Sequence, residues 1–118
     1  MTTQEVANRL VELCRMGNYE AAQTELFSED AQSIEADRAG GLQSVTGLAA
    51  IIAKGHQFQS MLEEVHGGSV SDPVIAGNKF AISIILDATM KGQGRMNMEE
   101  IGVYDVKDGK VVKEQFFF

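Results

Sequence analysis

The chain has 118 residues, 44% of them hydrophobic, and a formal net charge of −7. That length suits one domain, residues 1–118, able to bury roughly two thirds of its unfolded surface. The acidic balance, without a Lys/Arg cluster or a basic helix face, excludes nucleic acid and anionic membrane as partners.

The opening "MTTQEVANRLVELC" lacks the basic start and apolar run of a signal peptide. Thr3 can cap a helix from Gln4 to Met16, whose Val6, Leu10, Leu13 and Cys14 form one apolar stripe at helical spacing. Cys14 is the single cysteine, so no internal disulfide can form, and a reducing cytoplasm is the expected location. On that stripe it reads as an inert buried thiol. Gly17-Asn18 breaks the helix, and a second, Tyr19 to Phe27, buries Ala22, Leu26 and Phe27. "SED" ends it, and "AQSIEA" reads as a short strand in which Ile34 and Glu35 face opposite ways. "DRAGGLQSVTG" is a loop that opens a third helix presenting Leu48, Ile51, Ile52 and Phe58 on one side.

After residue 62 the pattern turns to β. "EEVHGGSVSDPVIA" reads as a strand disturbed at Gly67-Gly68, where a bend can aim His66 inward or leave it bonded to a backbone carbonyl. "KFAISIILDATM", "RMNMEEIGVYDV" and "KVVKEQFFF" complete an antiparallel meander. Helices first and strands after is an α+β layout, a curved sheet wrapped on three helices.

The last hairpin sets the register. "VKDGK" fits a three-residue loop with Gly109 left-handed; a two-residue turn at Asp108-Gly109 is the alternative, and would regroup the faces. With the three-residue loop, Met96, Met98, Glu100, Gly102, Tyr104, Val112, Glu114, Phe116 and Phe118 share the greasier face. Two carboxylates, Glu100 and Glu114, therefore stand on an apolar wall. Burial there costs several kcal/mol each unless they are paired, hydrogen-bonded or protonated. It raises carboxyl pKa values toward neutrality, which suits general acid/base chemistry. The opposite face carries Ile101, Val103, Val111 and Phe117, joined by Ile85. That is too apolar to leave in water, and predicts a homodimer through the outer sheet face. His56 and His66, with no carboxylate at ligand spacing, give no metal site.

The helix-rich first half, "GLAAI" opening the third helix, and "HGGSVSDPVIAGNKFAI" followed by "MEEIGVYDVKDGKVVKEQFFF" resemble the SnoaL-like families of the NTF2-like superfold over essentially the whole chain. The resemblance implies a cone of three helices over a bent, mainly antiparallel sheet, an apolar pocket between them, and frequent dimerisation. It implies a small, mostly apolar organic ligand and chemistry without a cofactor, of isomerase, cyclase or dehydratase type. The alternative is a non-catalytic ligand-binding or dimerising scaffold. In the ketosteroid isomerase branch a carboxylate base stands on the first short strand, which falls on Glu35 here. That branch's oxyanion tyrosine and protonated acid fall near Leu10 and Gly102, so both groups are missing. The Arg-x-Asp arrangement of the limonene-epoxide hydrolase branch is also missing, because Arg95 is followed by Met96 and Asn97. The polyketide cyclases use an acid in the pocket, compatible with Glu35, Glu100 or Glu114. The candidate acid/base groups are thus Glu114, Glu100, Glu35 and His66. The candidate lining is Tyr104, Met96, Met98, Val112, Phe116, Phe118, Leu10, Cys14 and Phe58.

Overall fold

The computed structural model describes residues 1–36 and 41–118; the part of the expected loop at 37–40 lies outside the described residues. Helix α1 (Thr3–Arg15) is capped by Thr2 rather than Thr3. The Thr2 hydroxyl accepts from the Glu5 amide at 3.1 Å, and the Glu5 carboxylate accepts from the Thr2 amide at 2.9 Å, so two orphan N–H groups of the first turn are satisfied. Its stripe is wider than the sequence suggests, adding Ala7 and Val11 to Val6, Leu10, Leu13 and Cys14. Helix α2 (Tyr19–Leu26) buries Ala22 and Leu26.

Strand β1 (Phe27–Ile34) follows without a loop, so "SED" continues a strand instead of ending a helix. The short β2 (Val45–Thr46) pairs antiparallel with it. Helix α3 (Leu48–Met61) starts after Gly47, whose φ of 102° is open to glycine. It leads into β3 (Leu62–Val70), β4 (Val74–Ala76), β5 (Lys79–Met90), β6 (Gly94–Lys107) and β7 (Lys110–Phe117). The sheet order is β2-β1-β7-β6-β5-β3, with β4 also on β5. Every pair is antiparallel except β1 with β7, which run parallel. The first and last strands therefore lie side by side. No helix among the described residues is long and apolar enough to cross a membrane.

The α1 stripe packs with Phe80, Ile82, Tyr104, Val106 and Val111 in one core. Tyr104 is its hub: its ring stacks on Phe80 at 4.8 Å and meets Phe27 edge-on at 6.5 Å. The Gly67-Gly68 disturbance is a shift in the β3–β5 pairing between Val65 and Gly67. A Cβ on Gly68 would stand 2.5 Å from the Ile85 carbonyl oxygen, so a side chain is excluded there.

The last hairpin corrects the expected loop. Asp108 and Gly109 both have positive φ, 52° and 76°, and close a two-residue turn between Lys107 and Lys110. Val106 faces Val111, and the register then slips by one, so that Asp105 faces Lys113 and Tyr104 faces Glu114. Val112 is the extra residue of that bulge. Val111, fully buried, takes the inward place expected of half-buried Val112. The bulge cancels the shorter turn. Below it Gly102, Tyr104, Glu114 and Phe116 share a face, as the three-residue loop would also have placed them.

Candidate functional site

Four polar groups meet on the inner side of the sheet, under α3. Glu114 comes from β7 and is 4% exposed; Ser33 comes from β1 and is fully buried. The parallel β1–β7 ladder sets Ser33 directly opposite Glu114, and the Ser33 hydroxyl donates to Glu114 Oε1 at 2.7 Å. Lys54 of α3, 8% exposed, donates to Ser33 Oγ at 2.6 Å. Its ammonium also pairs with the Glu35 carboxylate at 2.8 Å. Glu35 follows Ala31 and Ser33 on the inward side of β1, while Ile34 is half-buried on the other. The Glu35 side chain is 10% exposed.

Burial pushes the Glu114 carboxyl from its ordinary 4.5 up to about 7, against the Ser33 hydrogen bond and the Lys54 charge, with Glu35 and Glu100 adding to the rise. Glu100 of β6 is half-buried on the same face, opposite Ile84. Burial, then the Glu35 charge, brings it too to about 7, with Lys54 opposing. Tyr104 is held well above its ordinary value, by burial first and then by Glu114. Burial, and then Glu114, push the Cys14 thiol up to about 12, so it stays a neutral thiol. Tyr19, at the start of α2, is also raised, by burial and then by Cys14 and Glu100.

The space over Gly102 belongs to Tyr104. A Cβ on Gly102 would lie 2.9 Å from Tyr104 Cε1 and 3.1 Å from its hydroxyl oxygen. The absence of a side chain at Gly102 is what lets the tyrosine ring fold back over β6. The phenol thereby lies above the backbone position where the isomerase branch would carry its acid.

The remaining candidates separate. Leu10 and Cys14 are core residues of α1 itself, and Phe58 is half-buried on α3. Met98 and Phe116 are half-buried; Met96 and Phe118, at strand ends, are 38% and 44% exposed. His66 is not aimed inward. It occupies the β3 bulge and meets Thr89 Oγ1 at 2.7 Å, on the side that carries the Asp87–Arg95 ion pair. Because Ala88 is fully buried, its neighbours Asp87 and Thr89 point to the other face, and His66 goes with them.

Sequence reasoning missed Lys54 and Ser33. Lys54 sits three residues after Ile51 and four before Phe58, so the helical spacing already put it on the apolar stripe. Ser33 alternates with Ala31 and Glu35, which marks it as inward once Ala31 is core. A depression of about 290 Å³ on the outer β5–β6–β7 surface is lined mainly by Ser83, Ile85, Glu99, Ile101 and Phe117.

A family model of the SnoaL-like domain matches residues 1–118. A candidate SnoaL-like polyketide cyclase from Mesorhizobium loti is 36% identical over all of both chains, with a TM-score of 0.92. An NTF2-like protein of unknown function from Burkholderia pseudomallei, 13% identical, superposes with a TM-score of 0.80 over all of this chain and 92% of its own. A protein of ketosteroid isomerase-like fold from Catenulispora acidiphila, solved with trimethylamine, is 19% identical, with a TM-score of 0.75 over 97% of this chain and 85% of its own. Both of these share the fold. No curated protein matches the chain.

Proposed function

The chain belongs to the SnoaL-like family, and we propose that it binds a small, mostly apolar organic molecule against the inner sheet face and acts on it by acid/base chemistry without a cofactor. The observation that carries this is Glu114: a carboxyl 4% exposed, clamped by Ser33 and poised at about 7. A group poised near the working pH can both take and give a proton. Glu100, half-buried on the same face and also at about 7, supplies a second carboxyl. Glu35 is committed to Lys54 and serves the site through that pair. Isomerisation, intramolecular aldol cyclisation and dehydration all need such a proton exchange between two positions of one molecule.

The rival is a non-catalytic binding or dimerising scaffold, favoured by one observation: the Tyr104 ring fills the place over Gly102 where an oxyanion partner would stand. The two readings divide on chemistry. Incubation with 3-cyclohexen-1-one in deuterated buffer at pH 7 should give conversion to the conjugated enone with deuterium uptake, and Glu114→Gln should abolish it. Saturation-transfer NMR with 2-naphthol reports binding alone. Binding without any turnover of the ketone would establish the scaffold instead.

We also propose that two copies pack through the outer sheet face. Ile101 and Phe117 are 50% and 49% exposed there, beside half-buried Ile85 and Val103. The charges around them are paired within the chain, Lys79 with Asp105 and Arg95 with Asp87, so no unpaired charge from these pairs would be buried.

A further inference from the structure

The hydrogen bonds under α3 have a direction. An ammonium group has three N–H donors and no acceptor. At the 2.6 Å contact between Lys54 Nζ and Ser33 Oγ, Ser33 is therefore the acceptor. Ser33 owns a single O–H, and it points at Glu114 Oε1, 2.7 Å away. The chain runs one way, Lys54 to Ser33 to Glu114, for as long as Lys54 stays charged. The Glu35 carboxylate pairs with the same ammonium at 2.8 Å.

We propose that Lys54, acting through Ser33, is the positioning residue of this site: it keeps Glu114 Oε1 a permanent hydrogen-bond acceptor, so that the proton Glu114 exchanges with a bound molecule sits on Oε2. This rests on the acid/base reading of Glu114 and adds which oxygen performs it. A neutral carboxyl has one proton and two oxygens to place it on. With Oε1 receiving the Ser33 proton, a second proton there would face a donor head-on. Remove the ammonium and Ser33 is free to turn round and accept. The acid then has two tautomers, of which one holds its proton away from the ligand.

Every element packed around Glu114 takes part in its titration. Ser33 of β1 and Lys54 of α3 favour the carboxylate. Burial among the core side chains, Glu35 at the end of β1 and Glu100 of β6 favour the neutral acid. Tyr104 of β6 and Cys14 of α1 face the same carboxyl as neutral groups.

The test needs no ligand, so it is independent of whether the molecule is an enzyme. Glutamate carboxyls are labelled with carbon-13, and the Glu114 resonance is titrated by NMR in the whole chain. Ser33→Ala and Lys54→Met should each raise its midpoint by about 1 pH unit. Lys54→Arg, also donor-only, should keep it near the wild-type value. Lys54→Met made in the Ser33→Ala background should add much less than it does alone, because the path through Ser33 is already cut. An equal shift in both backgrounds would overturn the proposal, since Lys54 would then act as a remote charge only. Should Lys54→Met fail to fold, the Lys54 nitrogen-15 signal replaces it as the readout. That signal should follow the titration of Glu114 in the wild type and lose it in Ser33→Ala; following it equally in both sinks the proposal. Loss of enone turnover in Glu114→Gln tests the acid/base reading separately.

Discussion

Replacing Glu114 by glutamine should make the protein more stable relative to the wild type, by an amount that grows as pH rises from about 4.5 through about 7. The carboxyl rises from an ordinary 4.5 in the unfolded chain to about 7 in the folded one. Between those values the folded state holds a proton that the unfolded state has lost. Stability attached to Glu114 is therefore complete below about pH 4.5 and is lost as pH climbs through about 7. At ~1.4 kcal/mol per pH unit the loss is about 3 kcal/mol by pH 8, a large share of the 5–15 kcal/mol typical of a domain. Glutamine keeps the oxygen that accepts from Ser33 and cannot ionise, so it escapes this loss. Urea unfolding of both proteins, followed by circular dichroism from pH 5 to pH 8, gives the difference in unfolding free energy at each pH. Part of the loss is already present at pH 5, so over this range the difference should rise by about 2–3 kcal/mol in favour of Glu114→Gln, or on the order of 10 °C in melting temperature. Comparison within the pair removes the carboxylates that do not interact with Glu114. A difference that stays flat across this range would refute the reasoning, because Glu114 would then ionise as easily in the folded chain as in the unfolded one.

Gly102→Ala should cost about 1–3 kcal/mol in thermal or urea unfolding, since its new Cβ would stand 2.9 Å from the Tyr104 ring and the ring is locked between Phe80 and Phe27. A neutral result would mean that the ring is free to swing clear. Ile101→Lys on the outer face should leave the fold intact and convert a dimer to a monomer in sedimentation at tens of micromolar. A wild-type protein that sediments as a monomer under those conditions removes the proposed interface altogether.

The helices were legible because their signal is local. Val6, Leu10, Leu13 and Cys14 recur at helical spacing, and all four are buried. The inward carboxylates were legible for the same reason on strands: alternation alone puts Glu100 with Gly102 and Tyr104. What alternation cannot carry is a bulge. Val112 and His66 each sit at a register slip: Val112 was placed on the inner face and gives way there to Val111, and for His66 alternation left both sides open. For Glu114 two errors compensated, a shorter turn and an unforeseen bulge, and Glu114 came out on the right face by that cancellation. Ser33 and Glu114 stand 81 residues apart in sequence and face each other through a parallel pairing of the first and last strands. No local pattern reports such a contact. Lys54 was overlooked for a different reason. A lysine reads as a solvent group, although its place between Ile51 and Phe58 was an apolar one.

The arrangement also explains how a buried carboxyl can be held near neutrality here without the acid that the isomerase resemblance implies on the penultimate strand. Gly102 of β6 faces Phe116 of β7, and Tyr104 faces Glu114 one like-sided pair further along. The carboxyl is thus supplied by β7 rather than β6, and the glycine left at position 102 is filled by the phenol ring of its own strand. On β7 the acid gains a neighbour that it would lack on β6, because β7 is the strand that pairs with β1. Through β1 it reaches Ser33, and through Ser33 the ammonium of α3. A carboxyl this deeply buried would otherwise remain protonated well into the alkaline range. The hydroxyl and the ammonium pull against burial and leave it near the pH at which proton exchange is useful in both directions.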